Sequence, residues 1–237
     1  MRRFFTIFTL LMGLAVATVE AQTVNQTSGW LFLLNNTKLS EKWGAYLDVQ
    51  LRSADKVDYL RNFLFRPGIT YYLNNKSEVT LGYLLNETQT RLDGTSDNTL
   101  IEHRIWEQYI YKQKFNTLNL SHRFRLEQRF IERNNVNGDL FAQRFRYFFR
   151  FILPLQKGKQ NFETGPFAAL QNEVFLNLQH KDQLNGKVFD QSRAYLALGY
   201  RFSKKFDLEA GYLNQAIRGA SVNTSNNVIQ LALYTRF

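Results

Sequence analysis

Arg123, Arg125, Glu127 and Arg129 stand at alternate positions in the stretch LSHRFRLEQRFIERN, with Phe124, Leu126 and Phe130 on the opposite parity. Guanidinium and carboxylate groups in that pattern support one of two kinds of chemistry. They can close on one another as bidentate ion pairs, or an excess of guanidinium can attract anions through its field. Arg104, Arg144, Arg146, Arg150, Glu173 and Arg193 fall in segments of the same alternating kind. Other chemistry is thinly provided. With no cysteine, disulfides and thiolate metal sites are excluded. The three histidines, His103, His122 and His180, form no nucleophile–base couple, and Ser121 alternates to the face opposite His122. Their spacing suggests no zinc site, and the loop Asn, Asp and Gly residues lack EF-hand spacing. No cofactor is expected. The preferred reading is non-enzymatic, with a membrane lipid hydrolase or acyltransferase as an alternative.

A helix would smear these arginines around its whole surface, whereas a strand sends them all to one face. Period-two alternation of this kind recurs along the chain and predicts strands near 28–37, 43–52, 62–73, 77–89, 100–115, 118–133, 140–153, 162–178, 190–202, 206–217 and 226–237. Asn74-Asn75-Lys76, Asn116-Thr117 and Ser203-Lys204-Lys205 supply turn residues between them. Globular strands average about 5–6 residues. Most of these are longer, in keeping with the roughly 9–11 residues a tilted strand needs to cross a bilayer. Short turns alternate with longer polar loops near 91–99, 134–139, 180–188 and 219–226, as in outer-membrane barrels.

The faces decide which side is wet. Trp43, Ala45, Leu47, Val49 and Leu51 oppose Tyr46, Asp48, Gln50 and Arg52; Phe145, Tyr147, Phe149 and Phe151 oppose Arg144, Arg146 and Arg150. Long strands with smooth apolar faces would require far more enclosed volume than the inside of a barrel offers. Turned outward, the apolar rows meet lipid and the arginines line the lumen, and closure leaves no unpaired backbone edge in hydrocarbon. Trp43, Tyr71, Tyr72, Phe115, Phe202, Phe206 and Phe237 cluster near the short turns with Lys42, Lys76, Lys204 and Lys205, where an interfacial girdle belongs. The expected fold is all-β, an antiparallel transmembrane (outer-membrane) β-barrel of about 12 strands, with 10 as the alternative. Eleven strands are countable, yet single-chain bacterial barrels use even numbers. Either residues 22–27 carry a further strand or the N-terminal segment threads the lumen.

The 237-residue chain carries a formal charge of +10, which by itself admits nucleic acid, anionic lipid or anionic solute as partners. Its start narrows the choice. Met1-Arg2-Arg3, an apolar run from Phe4 to Ala17 and the small residues Val19 and Ala21 before Gln22 read as a cleaved signal peptide over 1–21. Residues 22–237 then form one barrel domain. Export makes nucleic acid no partner and the bacterial outer membrane the expected location.

Arg104-Ile-Trp-Glu-Gln108, the run from Leu120 to Arg129, Arg144-Phe-Arg146 leading to Leu153-Pro154, Asn172-Glu-Val-Phe175 and Asp190-Gln-Ser-Arg193 together resemble a bacterial family catalogued as domain of unknown function 2490. The resemblance covers nearly all of the mature chain. It implies an outer-membrane barrel in a Gram-negative bacterium and implies no activity. The terminal Phe237, preceded by alternating apolar residues, resembles the insertion signal read by the barrel-assembly machinery.

A two-residue turn at 116–117 pairs Phe115 with Leu118, so Arg104 faces Arg129, Trp106 faces Glu127, and Glu127 lies diagonal to Arg104. Pairing Arg133 with Leu140 in the next hairpin sets Glu127 against Arg146. A lumenal cluster is therefore expected of Arg104, Arg123, Arg125, Glu127, Arg129, Arg144, Arg146, Arg150, Glu173 and Arg193, with Glu102 as a further counterion. As ion pairs it would fill a narrow barrel. As a surplus of positive charge it would line a narrow pore for small polar or anionic solutes. The alternative to a pore is a structural or scaffold barrel whose loops bind a partner or lipopolysaccharide. Glu107, predicted on the lipid face, breaks the alternation and marks either a bulge or the headgroup zone.

Overall fold

The computed structural model describes residues 22–91, 97–133, 138–156 and 162–237; the expected signal peptide lies outside them. Eleven strands form one closed sheet: β1 (Thr23–Lys38), β2 (Trp43–Ser53), β3 (Leu60–Tyr72), β4 (Ser77–Thr90), β5 (Asn98–Phe115), β6 (Leu118–Ile131), β7 (Leu140–Pro154), β8 (Gly165–Asn177), β9 (Phe189–Ser203), β10 (Phe206–Ile217) and β11 (Asn223–Arg236). Neighbours in sequence pair antiparallel. The seam is different. β1 and β11 run parallel, with Thr23 beside Asn223 and Asn36 beside Arg236.

This seam resolves the parity problem. An even count is needed only if the first and last strands must meet antiparallel; a parallel closure accepts eleven. The expected twelfth strand is absent among the described residues, and residues 23–27 do not thread the lumen. Residues 23–27 instead extend β1 along β11 beyond the reach of β2, whose pairing starts at Trp30 opposite Arg52.

The overhang leaves backbone donors of β1 without a ladder partner on one side. Thr27 N–H donates to Asp55 Oδ1 at 2.7 Å, and Gly29 N–H to Ser53 Oγ at 2.9 Å. The end of β2 and the β2–β3 loop supply one acceptor each and therefore cap the exposed edge. Removing one exposed acceptor costs a typical net hydrogen bond. Asp55→Ala should lower stability by about 1 kcal/mol and speed hydrogen exchange at the Thr27 amide. Mass-spectrometric exchange of the refolded barrel checks this; unchanged exchange at Thr27 would show that the cap is idle.

Burial is inverted relative to a water-soluble protein. Leu198 and Ile229 are 68% and 64% exposed, whereas Arg125 and Glu127 are 1% and 0% exposed. The apolar rows point outward and the charged rows inward, as the alternation demands. The short-turn rim carries the expected aromatics in contact. Trp43 and Tyr71 meet edge to face at 4.9 Å, Phe202 and Phe206 at 5.7 Å, and Lys42 and Lys205 lie over Tyr71 and Phe237. Tyr72 departs from this girdle. It turns to the inner face, its hydroxyl packed so closely over Gly44 that a Cβ there would lie 2.5 Å away. The ladder between β3 and β4 lapses at Arg66 and Pro67, where proline has no N–H to donate.

Candidate functional site within the lumen

All ten expected cluster residues lie on strands β5 to β9, with their side chains on the inner face or at its edge. The β5–β6 register is the expected one, with Phe115 opposite Leu118 and Arg104 opposite Arg129. The β6–β7 register is corrected by two residues. Ile131, not Arg133, pairs with Leu140, because residues 132–139 form a longer connection. Glu127 consequently faces Arg144 directly, and Arg146 reaches it diagonally. A two-residue slip preserves the face, so both arginines still point inward.

Glu127 is the hub. It accepts from Arg144 Nε and Nη2 at 3.0 and 2.7 Å and from Arg146 Nη1 at 2.5 Å, with Arg104 Nη1 at 3.7 Å. Glu102 takes both forks of Arg104 at 2.7 Å and Arg129 Nε at 2.6 Å. Glu173 takes Arg146 Nε at 2.9 Å and Arg123 Nη2 at 2.7 Å. Arg150 pairs with Glu209 at 2.5 Å, and Tyr234 donates to the same carboxylate at 2.9 Å. Arg125 meets no acid among its hydrogen bonds. It donates to Gln108 Oε1 at 3.2 and 2.6 Å and lies 4.4 Å over the ring of Trp106, itself fully buried against Tyr46, Leu64 and Leu84. The glycines opposite Trp106 make its room: a Cβ at Gly82 would fall 2.1 Å from the indole.

Several members were not on the expected roster. Asp190 is the residue displaced where the β8–β9 register shifts at Phe175/Leu176, and from there it reaches Arg144 Nη1 at 2.8 Å. Strict alternation hides such a residue. Asp48 pairs with Arg66, and Asp207 takes Arg201 at 2.7 and 2.9 Å and Arg236 at 2.7 Å. The charge alternation of their strands was the available signal. Trp30 had none, because it sits in the uninterrupted apolar run Trp30-Leu-Phe-Leu-Leu34.

The histidines stay outside the lumen. His122 Nδ1 meets Tyr147 OH at 2.8 Å, His103 Nδ1 meets Tyr83 OH, and His180 Nδ1 meets the backbone oxygen of Phe141 at 2.7 Å. Among the described residues no group of three or more His, Cys, Asp or Glu could hold a metal ion. Glu107 marks no bulge. The β5–β6 ladder passes it unshifted, and it accepts from Gln128 Nε2 at 3.1 Å on the outer face.

Two interior cavities flank the charged cluster. The larger, about 460 Å³, lies toward the short-turn rim, with Lys112, Asn119 and Arg236 in its wall. The smaller, about 230 Å³, lies toward the opposite rim, with Asn62, Asn86 and Asp190. Only four residues line both: Arg52, Arg66, Arg146 and Arg193. The boundary that the two cavities share, the partition, is therefore lined by guanidinium groups. Arg66 and Arg146 are held by carboxylates. Arg52 and Arg193 take part in no ion pair among the described residues. They donate instead to Gln50 Oε1 and, at 3.2 Å, Gln191 Oε1.

A closed sheet with an apolar exterior and a charged lumen defines the class as a transmembrane-type β-barrel. Among solved structures it is similar to one titled "NanC porin structure in rhombohedral crystal form", with a TM-score of 0.51, 13% identity, and coverage of 81% of this chain and 85% of that one. Comparison with curated proteins finds no significant match. The chain belongs to the family described as "Protein of unknown function (DUF2490)", which it matches over residues 27–226.

Proposed function

We propose that this protein is a bacterial outer-membrane barrel acting as a narrow, anion-preferring channel for small solutes, exported by a leader over 1–21 and inserted by the barrel-assembly machinery. The observation that carries this reading is the partition: the residues common to both lumenal cavities are all arginine. Positive charge lining the boundary between the cavities would select by field strength, because an anion exchanges part of its hydration for guanidinium donors while a cation meets repulsion. The outward apolar rows fit lipid as their partner, and closure without a sheet edge is the condition for spanning it.

A second reading is favoured by a different observation. Glu102, Glu127 and Glu173 neutralise Arg104, Arg123, Arg129, Arg144 and Arg146, as befits a sealed scaffold barrel whose loops bind a partner or lipopolysaccharide. Reversal potentials across a planar bilayer in a potassium chloride gradient separate the two. The channel reading expects a chloride-preferring current that shifts toward potassium in Arg52→Glu and Arg193→Glu. A folded barrel that passes no current and admits no small solute into vesicles would leave only the scaffold.

A further inference from the structure

The partition holds two cations that make no direct ion pair among the described residues, and both lie on one aromatic ring. The guanidinium carbon of Arg52 lies 4.0 Å, and that of Arg193 5.2 Å, from the centroid of Trp30. Each uses an amide oxygen rather than an acid as its acceptor, and Arg193 Nε is buried with no partner. The acids on hand, Asp48 and Glu173 (the latter opposite Arg193 in the β8–β9 ladder), pair instead with Arg66 and with Arg123 and Arg146, respectively. The two like charges therefore converge without a direct ion pair, and the unpaired buried donor adds to the cost of that convergence. Arg125 also lies over a tryptophan with a glutamine as acceptor, but it does so alone; Arg52 and Arg193 share one ring, so a single acid from outside would bridge both.

The surroundings define the rest of the ligand. Phe32, Leu34, Phe148 and Leu213 line the same cavity as this arginine pair. These are inner-face positions, where the rest of the lumen is largely polar, so their apolar character is not dictated by lipid. At about 460 Å³ the space falls within the roughly 300–1,000 Å³ of small-molecule sites, which combine apolar walls with a few convergent polar groups. A bare inorganic anion would use the guanidinium groups and leave the apolar wall in water.

We infer that the short-turn cavity binds a small amphipathic carboxylate, its carboxylate bridging Arg52 and Arg193 over Trp30 and its aromatic or alkyl body against Phe32, Leu34, Phe148 and Leu213. The inference deepens the anion-channel reading by naming the substrate class of the same lumen, yet binding and current are measured separately.

The test uses 2-naphthoate in equilibrium dialysis against the full barrel in phospholipid nanodiscs, with uptake by empty nanodiscs subtracted. One saturable site per barrel is expected. Arg52→Gln and Arg193→Gln should each weaken it about tenfold or more, the loss of a charge-assisted hydrogen bond, while the exposed Arg61→Gln should not. Two measurements on the unaltered protein stand if either variant fails to fold: the neutral isostere 2-naphthalenemethanol should show no saturable uptake, and acetate at equal concentration should not displace naphthoate. No saturable site, equal binding of the alcohol, or displacement by acetate at parity would each overturn the inference. A barrel that binds naphthoate and passes no current keeps the site and loses the channel; one that conducts chloride and ignores naphthoate does the reverse.

Discussion

Glu127→Ala should lower the unfolding free energy of the refolded barrel by about 3–5 kcal/mol, the loss seen when one member of a buried ion pair is removed. Glu127 has no solvent exposure, and its two oxygens neutralise Arg144 and Arg146 at 2.5–3.0 Å. Taking the carboxylate away does not merely delete three hydrogen bonds. It strands guanidinium groups that keep only Asp190 and Glu173 as counterions. A double variant, Glu127→Leu with Arg144→Met, should lose less than Glu127→Ala alone, because it removes the stranded charge together with its partner and fills the space with apolar atoms. Equilibrium urea unfolding in lipid vesicles measures both. A single variant within 1 kcal/mol of the parent protein would mean that lumenal water already screens these charges and that the network holds little of the fold.

Trp106→Ala should cost a similar amount for a different reason, and should also raise conductance. A fully buried tryptophan truncated to alanine loses about 3–5 kcal/mol in transfer and cavity terms together. Its indole meets Tyr46 edge to face at 5.3 Å and supports Arg125 at 4.4 Å, and Gly68 and Gly82 give it the space a Cβ would deny. Tyr46 and Gln108 border the larger cavity and Leu64 the smaller. Removing the ring opens a passage beside the arginine partition, so single-channel conductance should increase while chloride preference falls. Lost stability with unchanged conductance would show that neighbouring side chains collapse into the void.

How much of this was readable beforehand depends on how local the information is. The strands and their faces follow from period-two alternation, so Arg123, Arg125, Glu127 and Arg129 could be assigned to one row from spacing alone. The β5–β6 register followed from a two-residue turn. The β6–β7 register did not, because a connection of eight residues does not fix which residues pair. Asp190 escaped because a register shift adds one residue to the count, and Trp30 because apolar neighbours on both sides erase the alternation. Arg52 stood on a legible polar face, yet its lack of a direct ion pair depends on Arg66, which the neighbouring strand brings to Asp48. The strand count was readable. The direction in which the first strand meets the last was not, since no single strand records the polarity of a neighbour about 200 residues away in the register, as Thr23 beside Asn223 illustrates.

That seam has a topological consequence. Because β1 and β11 point the same way, Thr23 and Arg236 finish at opposite mouths of the cylinder. A tight linker cannot join them, so circular permutation would need a connector spanning the full height of the wall. Reporter groups placed beside Thr23 and beside Arg236 would therefore emerge at opposite mouths of the barrel.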